Sequence, residues 1–419
     1  MNTDSLLDRM RFAPEKQMVE QVMETFCLEP ILSHFEQEGG VKSVRDGVLG
    51  QHLKLTRTMA PRLFSAMESV RRLLEYDAPV DLFVAQNSDI NALGIYSLDS
   101  TPHMVGLTSQ LIERMTDVEL KFVLGHEIGH LWFKHYRMQM VTRAFGKDND
   151  GDSRVPSLLA RRLEIWQRLA ELSADRAGFV AAGGQLDPVV SAFFKISSGL
   201  GPEHLQFNIS AFLQQLEELK QLERRDSICD FSHPVIPIRV RALQLYRDAG
   251  GAEASSLNIS KVDIEVTQLA RLMDREPTEP EEIHKLNFVL AGGVLIGQAD
   301  GKGLGEDESR YLVEMLMPLT SDPEESIAGI TSVAQAEKML AESAAWIKEN
   351  TGEVRFNGFR YLCIIAAVEG MTLGEEHLLY RIAEMAGIPR RAAGDLIHEV
   401  LTNFAPKIKA VGGAMQRLK

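Results

Sequence analysis

The chain has 419 residues, 45% of them hydrophobic, with 45 basic against 59 acidic side chains and a formal charge of -14. That length exceeds one ordinary core and implies two domains, and the negative charge argues against nucleic acid or an anionic lipid surface as a default partner. The opening MNTDSLLDRMRFAPEKQ has no secretory pattern, the longest apolar run (FVLAGGVLIG, 288–297) is about half a membrane span, and Cys27, Cys229 and Cys363 form no C-x-x-C pair, so the expected location is the cytoplasm, without disulfides or a transmembrane segment.

Residues 1–76 read as an N-terminal helical segment, mixing charged and apolar residues with few turn signals. The texture then changes. APVDLFVAQ (78–86), NALGIYS (91–97) and HMVGLTS (103–109) are short β-rich runs bounded by Asn, Asp, Ser or Pro, enough for a small sheet. Thr116 and Glu119 have capping-box spacing, which predicts a helix from about Asp117 running through VELKFVLGHEIGHLWFKHYRMQM. A polar loop at 145–157 follows, then a second long helix, SLLARRLEIWQRLAELSADRAGFVAA, stopped by Gly183 and Gly184. Its DNDGD (148–152) is no calcium loop, because Ser153 and Leu159 stand where Gly and Glu are required. Linker-like composition within 251–282 places a domain boundary there, between a domain at 77–250 and an all-helical one at 283–419. In the latter ADGKGLGEDE (299–308) matches VEGMTLGEEH (368–377), so related halves are expected.

The chemistry concentrates in HEIGH. On a helix His126 and His130 are one turn apart, able to reach one metal ion, with Glu127 beside them to take a proton from a metal-activated water. Two histidines and a carboxylate on an otherwise apolar helix would be costly to bury without a metal or other partners. Such a site needs a third ligand, and spacing leaves His135, Glu164, Glu171, Asp175, His204 and His233 as candidates. On a continuous helix His135 is rotated off the shared face and is expected at the surface, whereas Glu171 and Asp175 share one face of the second helix.

HEIGH followed by ELSADRAG resembles the HtpX and CAAX-prenyl-protease type of gluzincin metallopeptidases. The resemblance implies His126, His130 and Glu171 as ligands of one Zn2+, Glu127 as general base, and Asp175 as the residue that orients a ligand histidine. It extends to NALG, where Asn91, Ala92, Leu93 and Gly94 would hold substrate by strand addition. In SHPVIPIR (232–239), His233 would stabilise the oxyanion and Arg239 would stand near the site. The implied fold is α+β, mostly helical, with a zincin-type catalytic domain. The implied function is a zinc metalloendopeptidase acting on peptides or unfolded proteins. The rival is a latent or non-cleaving peptide-binding protein whose C-terminal domain recruits a partner. LAGGVLIGQADGKGLGEDESRYLVEML and YLCIIAAVEGMTLGEEHLLYRIAEMAGI are similar to the TerB-like helical domain named for tellurite resistance. Asp300, Glu306, Glu308, Glu369, Glu375 and Glu376 are read there as turn and helix-start charges rather than a docking or metal-sensing site.

Overall fold

The computed structural model describes residues 5–403 except 39, 99–100, 146–154, 156, 207, 222–232, 275–276, 300, 302, 352–353 and 369. Five helices open the chain: α1 (Leu6–Met10), α2 (Ala13–Thr25), α3 (Leu28–Gln37), α4 (Gly40–Gln51) and α5 (Pro61–Leu73). The expected helical lead-in is interrupted once, by strand β1 (Leu53–Lys54), whose two residues are too few to show period-two alternation. The three β-rich runs become β2 (Val80–Ala85), β3 (Ala92–Ile95) and β4 (His103–Thr108). They join β1 in a sheet of order β1-β2-β4-β3, with β2 and β4 parallel and β3 antiparallel to β4, which leaves β3 as an edge.

After α6 (Ser109–Arg114) comes α7 (Asp117–Trp132), started by the anticipated capping box: Glu119 N donates to Thr116 Oγ1, and Thr116 N donates to Glu119 Oε2 at 2.6 Å. The helix does not run on to residue 140. It ends at Trp132, Lys134 takes a left-handed φ of 56°, and α8 (Tyr136–Phe145) starts in a new direction. No glycine or proline announces this break. The strained lysine is offset by the burial of Phe133 and His135 on either side of it.

Helix α9 (Ser157–Ala181) packs against α7 at very short range because the facing residues are small. A Cβ added at Gly125 would fall on the Cβ of Ala181, and one at Gly178 would lie 2.7 Å from the Phe122 carbonyl oxygen. Around this contact one core joins Leu82, Val105 and Leu107 of the sheet, Leu120, Leu124 and Ile128 of α7, and Ala177 and Ala181 of α9. It continues into Phe193 of α10 (Leu186–Ser198) and, past α11 (Ile209–Lys220), into Val240 and Leu243 of α12 (Ile236–Asp248). Within the stretch expected to be linker stands α13 (Ser256–Ala270), whose buried Asp263 pairs with Arg176 of α9 at 2.5 Å.

The chain divides into two compact units, one formed by residues 1–20, 28–154 and 163–273, the other by 21–27, 155–162 and 274–419. The second contains α14 (Pro280–Gln298), α15 (Glu306–Leu316), α16 (Pro323–Ala328), α17 (Val333–Asn350), α18 (Val354–Ala367), α19 (Leu373–Met385) and α20 (Arg390–Asn403). The repeated motif falls at the start of α15 in one half and of α19 in the other. Glu308 and Glu375 are buried there because each carboxylate accepts the backbone N–H of its helix cap, Gly305 or Thr372. Glu306 and Glu376 sit in the same first turns, while Asp300 and Glu369 lie outside the described residues. Among the described residues no helix is long and apolar enough to cross a membrane.

Gly125→Ala would ordinarily gain about 1 kcal/mol of helix propensity. Here it should lower stability by roughly 1–3 kcal/mol through overpacking, and Ala181→Gly in the same chain should recover part of the loss. Denaturant midpoints of the single and double variants test this.

Candidate metal centre and active site

Helix α7 supplies His126, Glu127 and His130, and α9 supplies Glu171 and Asp175. The close contact of the two helices brings His126 Nε2 within 3.4 Å of Glu171 Oε2, and His130 Nε2 within 3.4 Å of Glu171 Oε1. The two Nε2 atoms are 3.0 Å apart. Ligand atoms of His126, His130 and Glu171 all lie within 4.8 Å of one another, the one such His/Cys/Asp/Glu group among the described residues. Glu164 and His204 are exposed elsewhere, and neither they nor His233 join it.

Both imidazoles are turned by what holds their Nδ1 atoms. His126 Nδ1 donates to Asp175 Oδ1 at 3.0 Å, since a carboxylate can only accept, and Nε2 is thereby turned toward the group. Asp175 is held in turn by Arg239, whose Nε and Nη2 donate to its two oxygens at 2.7 and 2.6 Å. Arg239 Nη2 also stands 3.3 Å from Glu171 Oε2, and the guanidinium lies 4.7 Å from the centre of the Phe193 ring. Burial opposes ionisation of both carboxyls, yet Arg239 and His126 keep Asp175 below its ordinary value, and the histidines with Arg239 keep Glu171 well below its own. Burial likewise opposes charge on His126, but hydrogen bonds to Asp175 and Glu171 raise it to about 10. The locality therefore favours a cation. Two imidazole nitrogens and a carboxylate fit a divalent ion that takes nitrogen and oxygen ligands tetrahedrally, the ion displacing the proton that His126 otherwise holds.

These residues open into a cleft of about 560 Å³. Glu127 lines it and is 7% exposed, and Asn91, Ala92, Leu93 and Gly94 line it too. Gly94 eases the approach of β3 to Glu127, since a Cβ there would crowd both the Glu127 carbonyl and its Oε2 at 3.2 Å. Asn91 ties β3 to β4, its carbonyl accepting from Thr108 N at 3.0 Å. His233 and Arg239 also line the cleft. His233 is half exposed, with Nε2 3.5 Å from Glu171 Oε1. Ser232, next to it, lies outside the described residues.

Two features escape a reading of the sequence. Tyr96 and Tyr136, stacked 4.4 Å apart, form a flat aromatic wall of the cleft. His135, expected at the surface, is 1% exposed: the break after α7 swings it under His130, Nδ1 to Nδ1 at 2.7 Å. Its Nε2 faces Glu15 Oε1 at 3.4 Å, short of a well-directed hydrogen bond. Glu15 of α2 is fully buried and accepts from Arg11 Nε at 2.6 Å and Nη2 at 3.0 Å, from Trp166 Nε1 at 3.2 Å and from Ser173 Oγ at 3.2 Å. Burial holds His135 down at about 4, against the pull of Glu15. Burial pushes the other way on Glu15, yet the nearness of His135 and the bonds from Arg11 bring it to about 2. No pattern in the sequence links position 15 with 135.

A carboxyl lowered on folding stabilises the fold above its ordinary value, near 4.5, and that contribution is lost as pH falls through the folded value. Glu15→Gln should therefore cost up to about 3 kcal/mol near pH 7, and the gap from wild type should close between pH 5 and about pH 2. Denaturant titrations of both proteins in chelator, which removes any metal contribution, measure this.

Residues 60–247 match the model of peptidase family M48. The chain is 30% identical over 210 residues to the chloroplastic plastoglobule-localized metallopeptidase 48 of Arabidopsis thaliana, covering 46% of this chain and 59% of that protein. It is 26% identical over 200 residues to protease HtpX of Chromohalobacter salexigens, covering 39% of this chain and 64% of that protein. The matches thus span about three fifths of the length of these curated relatives. No solved structure matches. The matched segment takes in the sheet strands β2 to β4, helices α7 and α9, and Arg239, so the likeness to peptidase family M48 covers the whole His126, His130 and Glu171 group.

Proposed function

We propose that this chain is a zinc-dependent endopeptidase that hydrolyses peptide bonds of peptides or unfolded proteins. The observation that carries the proposal is the gathering of His126, His130 and Glu171 at a cleft where Glu127 faces the edge strand β3. His126, His130 and Glu171 would hold the ion, and Zn2+ bound there supplies acidity to water and polarises the scissile carbonyl. Glu127 takes the proton of the attacking water and returns it to the leaving amine. An extended substrate lies along β3, its backbone paired to the strand's outer edge. His233, exposed on the cleft wall, donates to the oxygen of the tetrahedral intermediate. Arg239 acts at one remove, neutralising Asp175 so that Asp175 can hold His126 without leaving an uncompensated buried charge. The second unit, with its TerB-like repeat, is proposed as a site for a protein partner.

Glu127→Gln should keep the metal and the fold and lose about 10²–10⁴-fold in turnover. Elemental analysis and cleavage of an unfolded protein measure this, and undiminished hydrolysis would refute the mechanism. Glu171→Ala should lose zinc and cleavage together, and a chelator should stop the wild type. About one zinc per chain without any cleavage would instead favour the latent or peptide-holding reading.

A further inference from the structure

We propose that Glu15 and His135 form a positioning chain for His130, fixing which of its ring nitrogens carries a proton and so aiming its Nε2 lone pair at the metal group. The inference rests on the metal reading above.

Two imidazole Nδ1 atoms at 2.7 Å share one proton, because two protons would repel and none would leave two lone pairs in contact. Either His130 donates and His135 accepts, or the reverse. In the reverse arrangement a neutral His130 carries its proton on Nε2, the atom 3.0 Å from His126 Nε2 and 3.4 Å from Glu171, which blocks the lone pair a metal needs. Glu15 decides between the two. Its carboxylate only accepts, and Oε1 faces His135 Nε2, so the His135 proton sits on Nε2 and its Nδ1 is left as the acceptor. His130 must then donate from Nδ1. The order is Glu15 carboxylate, His135 Nε2–H, His135 Nδ1, His130 Nδ1–H, with the free lone pair at His130 Nε2.

The carboxylate is unable to turn away, since Arg11 grips both oxygens and Trp166 and Ser173 donate one bond each. His126 receives the same service from Asp175 directly. For His130 the carboxylate comes from α2, outside residues 60–247 that match the family model, with an imidazole inserted to span the distance. The N-terminal helices are thereby part of the centre.

The test uses the full-length chain and zinc affinity measured by competition with a chromophoric chelator. His135→Leu, which fills the space without accepting or donating, should bind zinc roughly 10–100-fold more weakly. His135→Gln, whose amide oxygen can accept from His130 while its amide N–H faces Glu15, should stay near wild type. Glu15→Met should weaken binding on the same scale, and adding it to His135→Leu should cost little more, as expected of one coupled unit. Cobalt substituted for zinc should show an altered visible spectrum in His135→Leu and not in His135→Gln. A role in packing alone reverses the order, with Leu tolerated at the buried position and Gln not, and that result overturns the proposal. Should a variant fail to fold, the wild type itself decides: ¹⁵N spectra of the zinc-loaded protein should show His135 protonated at Nε2, and the opposite tautomer overturns the chain. Wild type that binds no zinc would overturn the metal reading and this inference together, whereas zinc held equally by wild type and His135→Leu overturns this inference alone.

Discussion

The centre depends on how closely two helices approach. His126 and His130 come from α7, Glu171 and Asp175 from α9, and no side chain long enough to bridge a wider gap is among them. Gly125 and Gly129 on one helix and Ala174, Ala177, Gly178 and Ala181 on the other remove the side chains that would separate the backbones. Close-packed interiors do not deform smoothly, so the separation set by these small residues is inherited by the distances from His126 and His130 to Glu171 and Asp175. The same device recurs at the cleft, where Gly94 lets β3 come against Glu127. The edge strand and the carboxylate proposed as general base are thus brought into one space.

The second constraint is charge. Glu171, Asp175, Arg239, Glu15, Arg176 and Asp263 all lie where solvent barely reaches, and each unpaired would cost several kcal/mol. The structure pairs them: Arg239 with both Asp175 and Glu171, Arg176 with Asp263, Glu15 with Arg11. Arg239 and Arg176 also lie over aromatic rings, Phe193 in one case and Phe12 and Tyr246 in the other, which shields their faces with apolar surface that still favours a cation. Buried ion pairs add little stability compared with apolar packing of similar volume. The placing of Asp175, Glu171 and Arg239 beside His126, and of Glu15 and Arg11 beside His135, therefore points to function rather than to stability.

Much of this was legible in the sequence. The strands at 80–85, 92–95 and 103–108 were visible as short β-rich runs bounded by Asn, Asp, Ser or Pro, the start of α7 as a capping box, and the end of α9 as a pair of glycines. Helical spacing alone placed His126 with His130 and Glu171 with Asp175, because a helix fixes which side chains share a face. Spacing could not choose among the third-position candidates, since that choice depends on packing between helices. The break at Lys134 was illegible: an unbroken helix sends His135 outward, and only the tertiary burial of Phe133 and His135 makes the left-handed lysine tolerable. Glu15 was hidden for a different reason. A lone acidic residue in an amphipathic N-terminal helix looks like any solvated charge, and the partners that bury it stand 120 or more residues away in sequence.

The two imidazoles are supported unequally. His126 rests on a carboxylate directly, through a charge-assisted hydrogen bond of 3.0 Å. His130 rests on a neutral imidazole, with the carboxylate one ring further away. Asp175 is moreover neutralised by Arg239 and Glu15 by Arg11, so the negative charge that reaches the ion through either histidine is reduced before it arrives. Only Glu171 offers its charge at the metal group itself, and even that carboxylate is shared with Arg239. A divalent ion held by this set would retain most of its positive charge, which is the condition for acidifying water and polarising a carbonyl. In the proposed centre the positions of Arg239 and Arg11 would thus bear on reactivity as well as on stability: they would let carboxylates orient the histidines without spending the charge of an ion held there.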